Sequence, residues 1–308
     1  MPQDTGMGKE LELGQEIREL KKKRGAVILA HYYQRPEIKQ IADFVGDSLQ
    51  LAQKAAGVDA GVIVFCGVYF MAESAKILSP EKTVLLPEKS AGCYLADRAT
   101  GEGVRARKKE IPGCVVVTYV NSSAAVKAES DIVCTSSNAV KVVNSLPEDK
   151  PVLFVPDRNL GHYVARQTGR KLILWDGCCN VHDNLTAEEV KAVKDAHPDA
   201  LVMVHPECRP EVIDMADYVS STGGMLKFAR ESDNTSFIVG TEEGILYSLQ
   251  QACPDKFFYP AASHLTCPDM KLTTLEKVRD TLEKMEPQIQ VDPSVAEKAQ
   301  LALSRMLR

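Results

Sequence analysis

An α/β fold is predicted: three similar αβα domains, each built on a parallel sheet and related by pseudo-threefold symmetry. Three observations predict it. One unit is written three times, as residues 30–48, 118–136 and 204–222. Short apolar runs alternate with helical stretches along the whole chain. Three cysteines recur on the same period as the unit. In each copy a hydrophobic strand ends in a polar tip, His31, Tyr119 or His205, and a hydroxyl follows seventeen residues later, at Ser48, Ser136 or Thr222. The copies lie 88 and then 86 residues apart, a domain-sized period that excludes a solenoid.

The elements follow in order. Residues 9–24 are polar-rich, with Leu11, Leu13, Ile17 and Leu20 forming a partial apolar face. Four short buried strands then open the first repeat: Ala26–Ala30, Asp43–Val45, Gly61–Phe65 and Thr83–Leu86. The second repeat offers Val115–Tyr119, Asp131–Cys134, Val152–Val155 and Lys171–Leu174. The third offers Leu201–His205, Asp217–Ser220, Ser236–Val239 and Lys256–Tyr259. Helices are expected between them at Leu49–Ala56, Val68–Leu78, Ala139–Ser145 and Glu243–Gln251. Linking helices at Glu102–Lys109 and Ala187–Ala196 separate the repeats. Short Val- and Ile-rich strands alternating with helices favour Rossmann-like parallel sheets covered on both faces. The expected domains are residues 1–98, 99–184 and 185–292, with a terminal helix over 293–308 packing back on the first.

Bulk properties narrow the function. The 308-residue chain is 44% apolar and 26% charged, ordinary for a globular protein. A net charge of −5 without a long basic run argues against nucleic-acid or anionic-membrane partners. No stretch approaches the roughly 20 apolar residues of a membrane span. The first residues are charged and lack an apolar signal core. Nine scattered cysteines without a dense framework suit a reducing cytoplasm, where metal or redox chemistry outranks disulfides.

Cys93, Cys179 and Cys267 each follow the fourth strand of their repeat, separated by 86 and 88 residues. Around a pseudo-threefold axis these thiols can converge, and three thiolates suit an iron–sulfur cluster or zinc. Cysteines are also common small core residues, the reading taken for Cys66, Cys114, Cys134, Cys178, Cys208 and Cys253. Cys178 is the ambiguous one, since it lies nearer the strand while Cys179 keeps the period better.

The strand tips supply acid–base groups: His31 with Tyr33, Tyr119 with Asn121, and His205 with Glu207, pairs that share a face in an extended chain. Ligands of open parallel sheets collect beyond the carboxyl ends of strands, where these groups lie. Ser48, Ser136 and Thr222 precede helical stretches, so each reads either as an ordinary cap or as an anion contact at a helix N-terminus. Asp157, Arg158, Asn159, Thr241 and Glu242 follow third strands and either line the site or cap helices. His182 contacts ligand or orients its loop. Asp43, Asp131 and Asp217 serve the structure of the repeat. Gly223-Gly224 lacks a phosphate-binding fingerprint, and His264 near Cys267 is a weak sign of zinc.

Taken jointly, HYYQRPEIKQIADFVGDS, FCGVYFMAESAKIL, AGCYLAD, TYVNSSAAVKAESDIVCTSSNA, PDRNLG, WDGCCNVH, HPECRPEV, VGTEEG and CPDMKLTTLE resemble the quinolinate synthase family over nearly the whole chain. The resemblance implies three αβα domains in pseudo-threefold arrangement. It also implies condensation of iminoaspartate with dihydroxyacetone phosphate to quinolinate, phosphate and two waters, for NAD biosynthesis. It implies a [4Fe-4S] cluster on Cys93, Cys179 and Cys267, leaving one iron open as a Lewis acid. Implied substrate contacts are His31, Ser48, Tyr119, Val120, Asn121, Ser136, His205, Pro206, Glu207 and Thr222. Tyr33, Tyr119 and Glu207 are the candidates for moving protons. Small anionic substrates are the expected partners, with the enzyme supplying iminoaspartate a candidate. Some members carry a CxxCxxC run at the third cysteine; this chain has none. Two rivals are an iron–sulfur hydro-lyase acting on a diacid and a non-enzymatic iron or redox sensor.

Overall fold

The structure, a computed structural model, describes residues 4–307 and the side chains of residues 8–307. Three four-stranded parallel sheets form, and every predicted strand appears within one residue of its expected ends. The first sheet holds β1 (Ala26–His31), β2 (Phe44–Gly46), β3 (Val62–Cys66) and β4 (Thr83–Leu85). The second holds β5 (Val115–Tyr119), β6 (Ile132–Cys134), β7 (Val152–Val155) and β8 (Leu172–Leu174). The third holds β9 (Leu201–Val204), β10 (Tyr218–Val219), β11 (Ser236–Gly240) and β12 (Phe257–Pro260). All three share one order, second strand, first, third, fourth. The central strands are buried on both faces, which is why they read as continuous apolar runs instead of alternating ones.

Two sets of polar residues, repeated on the same period, build each sheet. Asp43, Asp131 and Asp217 stand just before the second strand. Each accepts the backbone N–H of Ile28, Val116 or Val202 at 2.8 Å. Each returns its own N–H to the same residue's carbonyl at 2.9–3.0 Å. The aspartates thus set the register at which the second strand joins the first, the structural role expected of them. The second set, Lys82, Arg170 and Lys256, was not foreseen. Each enters just before the fourth strand and donates to carbonyls at the end of the helix that follows the second strand. Lys82 Nζ reaches Ala55 O and Val58 O at 3.1 and 2.7 Å. Arg170 reaches Val143 O and Leu146 O at 3.0 and 2.9 Å. Lys256 Nζ reaches Ala229 O and Ser232 O at 2.8 and 2.5 Å. A cation there satisfies carbonyls that a helix leaves unpaired and meets its partial negative charge.

The chain divides into two compact units, one of residues 1–93 with 268–293, the other of 94–267 with 294–308. In the first, Leu13 and Ile17 of the helix Asp4–Arg24 and Leu275, Val278 and Leu282 of the helix Leu275–Lys284 close one core over Ile28, Ala30 and Val64. Beyond β4 the chain is extended by Leu86 N–H to Pro287 O (3.2 Å) and Ile289 N–H to Val84 O (2.8 Å). Residues 268–292 were expected in the third domain; their apolar stripe instead covers the first sheet. The second unit contains the other two sheets. The terminal helix Pro293–Met306 was expected on the first domain. Its hydrogen bonds run to the second repeat: Arg305 donates to Asp131 O at 2.5 Å, and Met306 O accepts from Asn138 at 3.1 Å.

Candidate active site

In the first unit the polar tip of β1 folds into a turn. Tyr33 N–H donates to His31 Nδ1 at 3.2 Å and the two rings meet edge to face at 4.6 Å. His31 and Tyr33 are therefore neighbours, but through this turn and not through strand alternation, because β1 ends at His31. The segment Pro268–Lys271 braces the turn: Lys271 Nζ donates to Tyr33 O (2.6 Å), Arg35 Nε to Lys271 O (2.8 Å), and Gln34 Nε2 to Met270 Sδ (3.5 Å). Ser48 opens the helix Ser48–Gly57, whose cap is Asp47.

In the second unit the tips of the second and third sheets meet. His205, after β9, places Nε2 3.2 Å from Ser136 Oγ, and Ser137 Oγ donates to Ser221 Oγ at 2.8 Å. Tyr119, Val120, His205, Pro206, Glu207 and Thr222 are buried. Buried Asn121 Oδ1 has no hydrogen-bond partner among the described residues. Glu207 is the centre of the group. Its Oε2 lies 2.8 Å from His182 Nδ1 and 3.4 Å from His205 Nδ1, while Oε1 makes no hydrogen bond among the described residues. The two imidazoles stack at 4.7 Å. Burial opposes ionisation of Glu207, but His205 and His182 outweigh it and hold the carboxyl well below the usual range. Asn159 supports the loop from behind, donating to Glu207 O at 3.0 Å and to Asp183 Oδ1 at 2.8 Å.

His182 joins this carboxylate to a thiol. Its Nδ1 also lies 3.2 Å from Cys179 Sγ, and its Nε2 lies 2.8 Å from Thr241 Oγ1. Donor atoms of Cys179, His182 and Glu207 all lie within 4.8 Å of one another, a set able to hold a metal ion. Sequence reasoning left His182 undecided; the 59 residues to Thr241 and 25 to Glu207 carry no local signal.

The three cysteine loops are built alike. The residue after each third strand's exit donates its N–H to a carbonyl at the loop: Tyr69 to Ala91 O (2.8 Å), Arg158 to Gly177 O (2.7 Å) and Glu243 to Leu265 O (2.8 Å). Two residues beyond each latched carbonyl comes Cys93, Cys179 or Cys267. This register favours Cys179 over Cys178 as the equivalent position. Gly177 must be glycine, since a Cβ there would lie 2.4 Å from Pro156 O. Cys93, Cys179 and Cys267 are partly exposed, whereas Cys66, Cys134, Cys208 and Cys253 are buried. Burial pushes the Cys66 thiol up to about 12 and raises those of Cys134 and Cys208 as well, so these remain inert. Cys114 is partly exposed but packs against the core of the second repeat, whereas Cys178, partly exposed beside Asp183 and Arg158, corrects the core reading.

Ser48 and Thr222 are not the caps: Asp47 accepts from Gln50 N–H and Ser221 from Gly224 N–H, one residue earlier in each case. In the second repeat the helix Ala139–Asn144 starts later, after Asn138, and Ser136 lies in the turn before it.

Residues 15–308 match the family described as Quinolinate synthetase A protein. The chain belongs to the quinolinate synthase family. It is 57% identical over 296 residues to the quinolinate synthase of Desulforudis audaxviator, covering 96% of this chain and 98% of that one. Identity to the quinolinate synthase of Methanoregula boonei is 53% over 295 residues, covering 96% and 97%. To that of Geobacter metallireducens it is 56% over 293 residues, covering 95% and 96%. Quinolinate synthases are enzymes. No helix among the described residues is long and apolar enough to cross a membrane.

Proposed function

We propose that this chain is a quinolinate synthase of NAD biosynthesis. It condenses iminoaspartate with dihydroxyacetone phosphate, forming one C–C and one C–N bond and releasing phosphate and two waters. The observation that carries the reading is the buried Glu207 carboxylate, held by two imidazoles with one oxygen unengaged, in contact through His182 with the Cys179 thiol. Acid–base groups beside a metal-binding thiol are what a condensation with repeated dehydration requires.

Cys93, Cys179 and Cys267 hold a [4Fe-4S] cluster in this proposal. The donor set fits: all three are partly exposed, lie at one register in their loops, and are distinct from the deeply buried thiols. When bound, the cluster supplies an open iron acting as a Lewis acid. The chain's own groups do the rest. His31, Ser48, Asn121, Ser136, His205 and Thr222 bind carboxylates and phosphate, with the backbone at Val120 and Pro206 shaping the same surface. Glu207 Oε1 takes and returns protons, while Tyr33 and Tyr119 serve as phenolic donors. His182 holds the Glu207 carboxylate through Nδ1, and the Thr241 hydroxyl meets its Nε2. Three similar αβα repeats and a cytoplasmic setting complete the proposal. The enzyme supplying iminoaspartate is the proposed partner.

Anaerobic purification, an iron and sulfide count, and a quinolinate assay on one sample test it. The expected result is one four-iron cluster per chain and quinolinate from the two substrates. Dehydration of a hydroxy diacid with no quinolinate would replace this reading with a hydro-lyase.

A further inference from the structure

Each latched cysteine loop has one more position in common, the residue immediately before the latching N–H: Val68, Asp157 and Glu242. In the second and third repeats this position is a carboxylate with no exposure to solvent. Glu242 has both oxygens engaged. Its Oε1 accepts Cys267 N–H at 3.1 Å and its Oε2 accepts Gly244 N–H at 2.8 Å. Asp157 Oδ1 accepts Leu160 N–H at 2.8 Å as the cap of the helix Arg158–Thr168, and its Oδ2 makes no hydrogen bond among the described residues. The neighbouring Thr241 meets His182, which touches Cys179. A buried carboxylate is a costly way to anchor a helix start, and valine does without it in the first repeat. What distinguishes Glu242 is that it accepts from the main chain of a cysteine.

We propose that Glu242 is a positioning residue, which holds the main chain of Cys267 so that its thiolate presents the geometry a bound cluster needs. The proposal rests on the cluster reading above. A group that orients a metal ligand alters how long metal is held, whereas a merely structural carboxylate alters only folding.

The test reconstitutes wild-type and variant protein with ferrous iron and sulfide under anaerobic conditions, then follows iron release to EDTA. Glu242→Val installs the first repeat's residue and removes both acceptors. Glu242→Gln keeps one acceptor and turns the other into a donor, so it serves only one of the two N–H groups. Iron release about 10- to 100-fold faster for Glu242→Val, with Glu242→Gln between it and wild type, supports the proposal. Val239→Ala, a core change in the strand that precedes Glu242, reports simple destabilisation and is expected to release iron slowly. Equal acceleration there, at matched loss of apo-protein melting temperature, overturns the proposal. Glu242→Gln decides the matter if Glu242→Val does not fold; a wild-type release rate in it overturns the proposal. Wild-type protein that takes up no iron sinks the cluster reading itself, a result separable from variants that hold iron as long as a loaded wild type.

Discussion

Glu207→Gln tests the centre of the site. The carboxylate is ionised because two imidazoles face Oε2 at 2.8 and 3.4 Å, and its other oxygen is buried without a hydrogen bond among the described residues. Glutamine is nearly isosteric and can accept from His182 with its amide oxygen. Its NH2 group then falls where Oε1 stood, a buried position without a hydrogen bond among the described residues, and leaving a buried donor unpaired costs about 1–3 kcal/mol. Relief from burying a charge offsets part of that, so the fold is expected to persist. Catalysis has no such compensation, because an amide cannot shuttle a proton. A lost general acid–base lowers the rate about 10²- to 10⁴-fold, roughly 3–5 kcal/mol of barrier. Anaerobic steady-state assays, with iron counted on the same samples, are expected to show a fall in kcat, not a rise in KM alone. An undiminished kcat at full iron content would refute the assignment.

Three other predictions follow from named contacts. Cys179→Ser is expected to lose bound iron and Cys178→Ser to keep it; the opposite pattern in an iron count moves the ligand to Cys178. Lys256→Ala strips two carbonyls at the end of the helix Thr222–Glu231 of their cation and is expected to cost about 2 kcal/mol in a urea melt, with no change in iron content. Glu88 is held near a pKa of about 2 by hydrogen bonds from Lys277 and then Ser90, against an ordinary 4.5. A depressed carboxyl stabilises above its unfolded value and loses that effect as pH falls through the folded one. Apo Glu88→Gln is therefore expected to melt below wild type at pH 6. The gap, at most about 1 kcal/mol for a surface pair, closes between pH 4.5 and about 2; a constant gap would contradict the cause.

Local pattern reached further into this fold than into its site. Runs such as VLFV and VIVFC are legible as strands because burial on both faces leaves no polar alternation. Asp43, Asp131 and Asp217 are legible as structural because they recur at one offset beside such runs. Lys82, Arg170 and Lys256 keep the same period, yet a charge does not announce which carbonyls it meets. Of the two readings open for the hydroxyls, the cap goes to the preceding residue in two repeats, Asp47 and Ser221, and to Asn138 in the second. Which of two adjacent polar residues caps a helix depends on the backbone angles between them, and either can read as the start.

Composition and spacing by themselves determined the three parallel sheets, the three equivalent cysteines and the strand-end location of the polar groups, since each is a periodic or short-range property of the chain. Only the tertiary structure decided that Cys179, His182 and Glu207 share one cluster, that Glu242 reaches the main chain of Cys267, and that residues 268–293 cover the first sheet. An apolar stripe states that a helix must be covered, and a histidine states what it can bond. Neither names its partner, because that is chosen by how separate segments pack.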